Sequence, residues 1–439
     1  MRPKASERSK YLLGTALVLA LLIGGGTARG LYTDGIIILF SIIAAAGVLS
    51  TPTVQRIDPL PVGLVALATL LCIVQIIPLP SGLLAPLRPE FLDHPVGADA
   101  GATFVSLGLG RTIESLWLIL APLGFFLCVL RLRPDQVNGL LPFFFLGLLC
   151  NLLVGTLQYS LSKDAVVEDF LPFAISAGLF ANVNHFSALL FVSIPLIVYF
   201  GLFKGHPAIG GSGLIAILLL LLAAGSRAGV LIGLAITLIS LFVLSARSRF
   251  TLAAVISVFI VLSIYTVGAW SKIDTDNLDP EFGRREFART TLEGIRENWV
   301  LGIGFGNFVK GYQIYENPEM IQRKYVNHAH NEYLELVFEG GFAAALLIGL
   351  YFFLLATAAF SPEASALQRA ALISIVFLLI HSLVDYPLRT MALAMTFAFL
   401  NGILFHTGLR PLAHKKENLL EVEHNGEKLL VPIAREQPR

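Results

Sequence analysis

The sequence predicts an all-α, polytopic membrane protein of about twelve transmembrane helices, and three observations predict it. The 439 residues are 56% hydrophobic and only 14% charged, with a mean hydropathy of +0.76; a soluble chain carries about 25% charge. Twelve apolar runs approach the length of about 20 residues that a helix needs to cross a bilayer core of about 30 Å. Lys and Arg recur in alternate connections between those runs, as positive-inside topology requires. The net charge of +1 gives no reason to expect nucleic acid as a partner. Cys72, Cys128 and Cys150 all lie inside apolar runs, so neither a disulfide framework nor a CxxC metal site is readable.

The runs lie near 11–27, 35–50, 60–79, 114–130, 137–160, 185–202, 210–225, 228–246, 250–269, 340–359, 367–384 and 390–406. The first follows the basic opening "MRPKASERSK" and has the look of a signal peptide. "TARG" is a poor cleavage site, however, and a second apolar run follows at once, so the first is read as a retained span. The seventh and eighth are divided only by "GSRAG". With the N-terminus in the cytoplasm, the inner segments carry Arg2, Lys4, Arg8 and Lys10, then Arg56, then Arg131 and Arg133. Lys204, Arg247 with Arg249, Arg369, and the tail with Arg410, Lys415 and Lys416 follow. An error of one helix would break this agreement. Twelve spans return the C-terminus to the cytoplasm. The chain thus divides into a transmembrane region, 1–406, and a polar, flexible tail, 407–439. No internal repeat is visible.

Two outer segments are long. One is 80–113. The other, about 270–339, lies between spans nine and ten and is acidic first ("DTDNLDPE"), then basic ("GRREFART"). Within it "FARTTLEGIRENWVLGIG" reads as a short helix broken by glycines. Long loops with structure of their own usually carry function.

Four polar constellations fall on the outer side. "NHAHNEYLELVFEGG", 327–341, sets two histidines, two asparagines and three glutamates at the entrance to span ten. Arg227 stands in "AAGSRAGVL" between spans seven and eight. Arg284, Arg285 and Arg289 lie in the long loop. "HSLVDYPLR" brings His381, Asp385 and Arg389 to the end of span eleven, and Asn184 and His185 open span six from the same side. Charge at membrane depth costs about 2.5–3.5 kcal/mol per residue on insertion scales, so such residues tend to face a cavity or a partner. Arginine stays charged and grips phosphate through a planar fork; histidine accepts a proton near neutral pH. Together they suit an anionic ligand whose reaction moves a proton, such as a lipid diphosphate.

Each constellation also has a structural reading. Arg227 could snorkel at a helix end, and Arg284, Arg285 and Arg289 could form a solvated face. Asp385 could simply pair with Arg389 or cap a turn. His185 reads better as structural than catalytic. His328 and His330, spaced HxH, could ligate a metal, but no set of about four N or S ligands accompanies them. The joint placement on one side of the membrane carries more than any single motif.

"HNEYLELVFEGGF" resembles the signature of the O-antigen ligase and O-antigen polymerase superfamily of bacterial inner-membrane glycan transferases. "FANVNHFSALL", "SRAGVL", "GRREFARTTLEGIRENWVLGIGFGNF" and "HSLVDYPLR" stand in the family's order and roughly its spacing, over about residues 170–405. The resemblance implies a helical fold of about twelve spans, no metal and no cofactor. It implies transfer of a saccharide from undecaprenyl diphosphate to an acceptor hydroxyl at the periplasmic face; the loop charges and twelve spans place both termini in the cytoplasm. The family's essential histidine falls on His330, which precedes the Asn–x–x–Leu pattern of Asn331 and Leu334. One essential arginine falls on Arg227. The second falls on Arg284, with Arg285 as the rival, because Ala288 stands where the family has a tryptophan.

The expected chemistry follows from that resemblance. His330 takes the acceptor proton in a single inverting displacement, and Arg227 and Arg284 stabilise the departing diphosphate. Arg285, Arg289, Asn331, Glu332, His328, Asn184 and Asp385 are the expected substrate-binding residues. Glu335 and Glu339 lie four apart on one helix face as candidate orienters. The expected partners are the lipid-linked donor, a lipid- or glycan-borne acceptor such as lipid A core, and the membrane. A repeat-unit polymerase shares the donor chemistry and differs in acceptor, as does transfer to a protein hydroxyl. A lipid-linked glycan transporter would use the same cations without chemistry, and its usual inverted repeat is not visible. An intramembrane protease lacks a Ser–His or HExxH set.

Overall fold

The computed structural model describes residues 3–51, 55–84, 102–161, 171–245, 279–318, 325–410, 419–424 and 427–432. Its helices, numbered in chain order, are α1 (Pro3–Ile23), α2 (Tyr32–Leu49), α3 (Pro59–Ile76), α4 (Leu109–Arg131) and α5 (Leu141–Ser160). They continue with α6 (Val183–Phe203), α7 (Pro207–Ala224), α8 (Arg227–Ser245), α9 (Asp279–Asn298) and α10 (Phe308–Tyr315). The last are α11 (Glu332–Ala359), α12 (Ala366–His381) and α13 (Met391–Phe405). Eleven of the twelve predicted runs lie on these helices; the ninth, 250–269, falls outside the described residues. Among the described residues eight segments are long and apolar enough to cross a membrane, and α12 and α13 are shorter apolar helices. The protein is an all-α, multi-pass membrane protein.

The burial pattern fits lipid as the outer solvent. α6 is buried almost throughout and packs on α7, α8 and α12. Its serines bond back to the preceding turn, Ser187 to the Val183 carbonyl at 2.9 Å and Ser193 to Leu189 at 2.7 Å, so hydroxyls enter the core satisfied. Ser374 of α12 reaches across to the Val192 carbonyl at 2.7 Å. α3 and the second half of α11 instead turn Leu60, Leu67, Phe342, Leu346 and Phe353 outward. An apolar exterior is what a bilayer requires, provided the backbone is satisfied within helices.

The turn between α7 and α8 is set by Gly225, which ends α7 in the left-handed region with φ 71°. That resolves "GSRAG" into two helices and makes Arg227 the first residue of α8.

Three segments differ from expectation. α9 spans 20 residues rather than a short helix. α11 begins at Glu332, eight residues inside the expected loop, because Asn331 caps it and Glu332, Glu335 and Glu339 carry helical spacing. The tail, expected to be flexible, contains an antiparallel hairpin of Leu419–His424 with Glu427–Pro432. The intervening Asn425–Gly426 dipeptide is the strongest short hairpin signal in a sequence.

Candidate active site

The polar constellations converge where the start of α11 docks on the end of α12. Asn331 has extended backbone, and its Oδ1 accepts from the Tyr333 and Leu334 amides at 3.0 Å each. Its Nδ2 donates to the Leu383 carbonyl at 2.9 Å, and the Glu332 amide donates to Ser382 at 2.9 Å. These bonds fix residue 330 against segment 382–386. His330 is the one non-glycine residue with positive φ, 51°, among the described residues. Such a conformation costs about 1–2 kcal/mol and persists where surrounding structure imposes it.

The His330 ring is partly exposed, with Nδ1 buried and 3.6 Å from Oδ1 of Asp385. It packs edge-on to Tyr386 at 4.9 Å between centroids and against Phe287 of α9 at 5.8 Å. Asp385 is fully buried. Its Oδ2 accepts from Asn184 Nδ2 at 2.7 Å, and its Oδ1 accepts from the Tyr386 amide at 2.9 Å. Asn184 in turn accepts from Ser226 Oγ at 2.8 Å, which ties α6 to the residue preceding Arg227. Burial pushes the Asp385 carboxyl up, but the facing imidazoles of His185 and His330 outweigh it and hold it well below the usual carboxylate range.

Beside this lies a second buried cluster. His328 Nδ1 is 2.8 Å from Oε1 of Glu335, whose Oε2 accepts from the Ala329 amide at 2.9 Å. Arg389 stands between three carboxylates of one α11 face: Glu332 at 3.1 Å, Glu335 at 3.3 Å and Glu339 at 3.1 Å. Burial works against the Arg389 charge, and the three carboxylates overcome it, so the guanidinium is held charged above its ordinary range. Glu332 Oε1 also accepts from the Leu388 amide at 2.8 Å.

Glu339 links this cluster to the glycine-rich turn. Its Oε1 accepts from the Gly306 amide at 2.8 Å and the Phe308 amide at 3.2 Å. α11 kinks at Gly341, with φ 62° and ψ −151°, which frees the carbonyls just before it. Phe338 and Glu339 then accept from Ile303 at 3.0 Å and Gly304 at 2.9 Å. A Cβ on Gly341 would lie 2.6 Å from both Val300 O and Gly302 N. The "GIGFGNF" turn is therefore built into the helix that carries the site.

Of the predicted residues, the structure brings together Asn184, His328, His330, Asn331, Glu332 and Asp385. Arg227 opens α8 one residue after Ser226. Arg284 is half-buried on α9. Arg285 is exposed; Arg289 is also exposed, pairing along the helix with Glu286 at 3.9 Å and Glu293 at 3.5 Å. His328 and Glu332 are buried and bonded within the protein. The two histidines of the HxH pair face different carboxylates.

Sequence reasoning missed Tyr386, whose ring meets His185, His328 and His330 at 4.8, 4.1 and 4.9 Å. It also missed Arg29, between α1 and α2. Arg29 Nη1 donates to Ser115 at 3.1 Å and abuts Gly306. Burial lowers its guanidinium from the ordinary range, against Glu339, while Arg389 adds to the lowering. Tyr386 adjoins Asp385 in a motif already noted and could have been marked there. Arg29 in "TARG" offered no signal beyond its outer position.

A family model described as O-antigen ligase matches residues 212–349. No match was found among curated proteins. The matched segment contains Arg227, Arg284, His330 and the whole glutamate face of α11; Asn184, Asp385 and Arg389 join them in space from outside it.

Proposed function

We propose that this protein is a membrane glycosyltransferase of the O-antigen ligase/polymerase type that acts on lipid-linked glycan and is ligase-like, a reading supported by the family match over residues 212–349. It moves a saccharide from undecaprenyl diphosphate to an acceptor hydroxyl, with lipid A core or a similar lipid-borne glycan as the acceptor. The reaction takes place at the periplasmic face of the bacterial inner membrane. The observation that carries this reading is the His330–Asp385 pair: a strained histidine on the rim of the helix bundle, backed by a buried carboxylate.

In this scheme Nδ1 of His330 faces Asp385, and Nε2 takes the acceptor O–H proton. The acceptor oxygen forms a bond to the anomeric carbon from the side opposite the diphosphate. The bond from that carbon to the diphosphate oxygen breaks, and its electron pair leaves with undecaprenyl diphosphate. One displacement inverts the configuration. Asp385 fixes the ring and stabilises the imidazolium that forms, a role its burial suits better than direct sugar contact. Arg227 and Arg284 meet the growing charge of the leaving group, and no metal enters the scheme. Arg227 stands at the first turn of α8, the end of a helix that favours an anion. Asn331, Glu332, His328 and Asn184 hold the pair in place. Arg285 and Arg289, on the open face of α9, are left to contact the glycan.

The test replaces His330 by Ala in a strain lacking the native copy, with membrane levels confirmed, and analyses surface glycan beside lipid-linked intermediates. Full-length glycan accumulating on undecaprenyl diphosphate is the expected result. Single repeat units accumulating without long chains would assign the polymerase reaction instead. An unchanged glycan profile at normal protein level would refute the catalytic role and revive the transporter.

A further inference from the structure

His185 is fully buried near the start of α6, and neither ring nitrogen has a hydrogen-bond partner. Leaving a buried polar group unmatched costs about 1–3 kcal/mol, which a phenylalanine in the same place would not incur. What distinguishes the position is its neighbour. His185 Nε2 lies 3.7 Å from Oδ1 of Asp385, the same oxygen that His330 Nδ1 faces at 3.6 Å. The other carboxylate oxygen is taken by Asn184. One oxygen is thus nearly equidistant from two imidazole nitrogens and bonds closely to neither, while it accepts from the Tyr386 amide at 2.9 Å.

From this geometry we infer that His185 is a positioning residue that sets the basicity of His330 by competing for Oδ1 of Asp385. The inference rests on the reading of His330 as the base. With His185 in place, its N–H shares the carboxylate charge, so the His330–Asp385 pair as a unit holds a proton less tightly. Other titratable and charged groups stand about the pair, among them His381, whose buried ring nitrogens have no hydrogen-bond partner. Tyr386 packs edge to face on His185 at 4.8 Å, and His381 of α12 packs on Phe191. His328 is bonded to Glu335, which with Glu332 and Glu339 surrounds Arg389. Arg284 lies on α9 and Arg227 opens α8.

The sign is set by the donor. Removing an N–H from an anionic carboxylate raises the proton affinity of the pair as a unit. The acid limb of the pH–rate profile then moves to higher pH. Release of undecaprenyl diphosphate is the readout, since it follows transfer to any acceptor. Membranes of a strain lacking the native copy are supplied with donor extracted from that strain, and initial rates are taken across pH. Replacing the ring by Phe, His185→Phe, is expected to shift the acid limb up by about half to one pH unit. His185→Gln, whose amide nitrogen falls near Nε2, is expected to restore it, whereas His185→Asn, with its nitrogen near Nδ1, is expected to leave it shifted.

A rate lowered equally at every pH, with the limb unmoved in the Phe variant, would overturn the inference. Where the Phe variant is not made at wild-type level, the Gln and Asn variants decide: limbs that move together, or not at all, overturn it. His330→Ala in the same assay separates the two claims. A fully active His330→Ala protein defeats the reading of the base itself. An inactive one beside an unmoved limb defeats only the role of His185.

Discussion

Arg389→Met tests whether the α11 glutamate face is held together electrostatically. The guanidinium is the shared counter-ion of three buried carboxylates at 3.1, 3.3 and 3.1 Å. Removing one partner of a buried pair costs about 3–5 kcal/mol, because charge is left uncompensated. Three partners do not triple that figure. Glu335 keeps His328 and the Ala329 amide, Glu339 keeps the Gly306 and Phe308 amides, and Glu332 keeps the Leu388 amide. The expected loss is therefore near the lower bound, about 3 kcal/mol, which for a chain of 439 residues corresponds to a fall in Tm of about 3 °C. Thermal unfolding of the detergent-purified protein is the assay, and its pH dependence is the sharper part. Burial raises the Glu332 carboxyl above its ordinary value against the opposing charge of Arg389, and the variant removes that opposition. That contribution favours the fold below the unfolded pKa and is lost as pH rises through the folded values. Arg389→Met is expected to gain stability from about pH 8 down to about pH 5, relative to the wild type. Equal Tm values and parallel pH profiles would refute the argument.

Three further outcomes are expected. Gly341→Ala forces a side chain onto φ 62° and into the backbone of 300–302. It is expected to cost about 1–3 kcal/mol and to lower transfer by displacing the glycine-rich turn, read as Tm and as undecaprenyl diphosphate release. Asn331→Ala removes the α11 cap and should cost about 1 kcal/mol, whereas Asn331→Asp retains the accepting oxygen and most of the stability. Asp385 has a folded pKa below the ordinary carboxylate value, so its contribution is present above about pH 4 and is lost as pH falls through the lower folded value. Asp385→Asn is expected to lower Tm near neutral pH and to flatten the decline on the acid side, seen in melts run down to about pH 3.

Much of the fold was legible because a membrane imposes a single rule on every span. Runs such as 185–202 and 390–406 read as helices since lipid leaves backbone groups no alternative. Their burial was not legible: α6 and α3 are equally apolar in sequence, yet one is the core and the other faces outward. The site was legible as motifs and not as contacts. His330, Asp385 and Asn184 could be singled out, because polar residues beside apolar runs need a reason. That Asp385 faces His330 and His185, rather than pairing with Arg389, depends on where α11 docks on α12. The separation of Glu332 and His328 from the open side follows from Arg389, 57 residues from Glu332 in the chain. Arg29 lay beyond sequence reasoning because its neighbours Ser115 and Gly306 come from two other parts of the chain.

The most direct measurement of the central claim is undecaprenyl diphosphate release by the purified protein supplied with donor and a lipid A core acceptor, with His330→Ala compared to wild type at matched concentrations of both. Loss of a positioned base predicts a fall in turnover of about 10²–10⁴-fold, with donor binding retained through the arginines. Turnover within a few-fold of wild type would contradict the account.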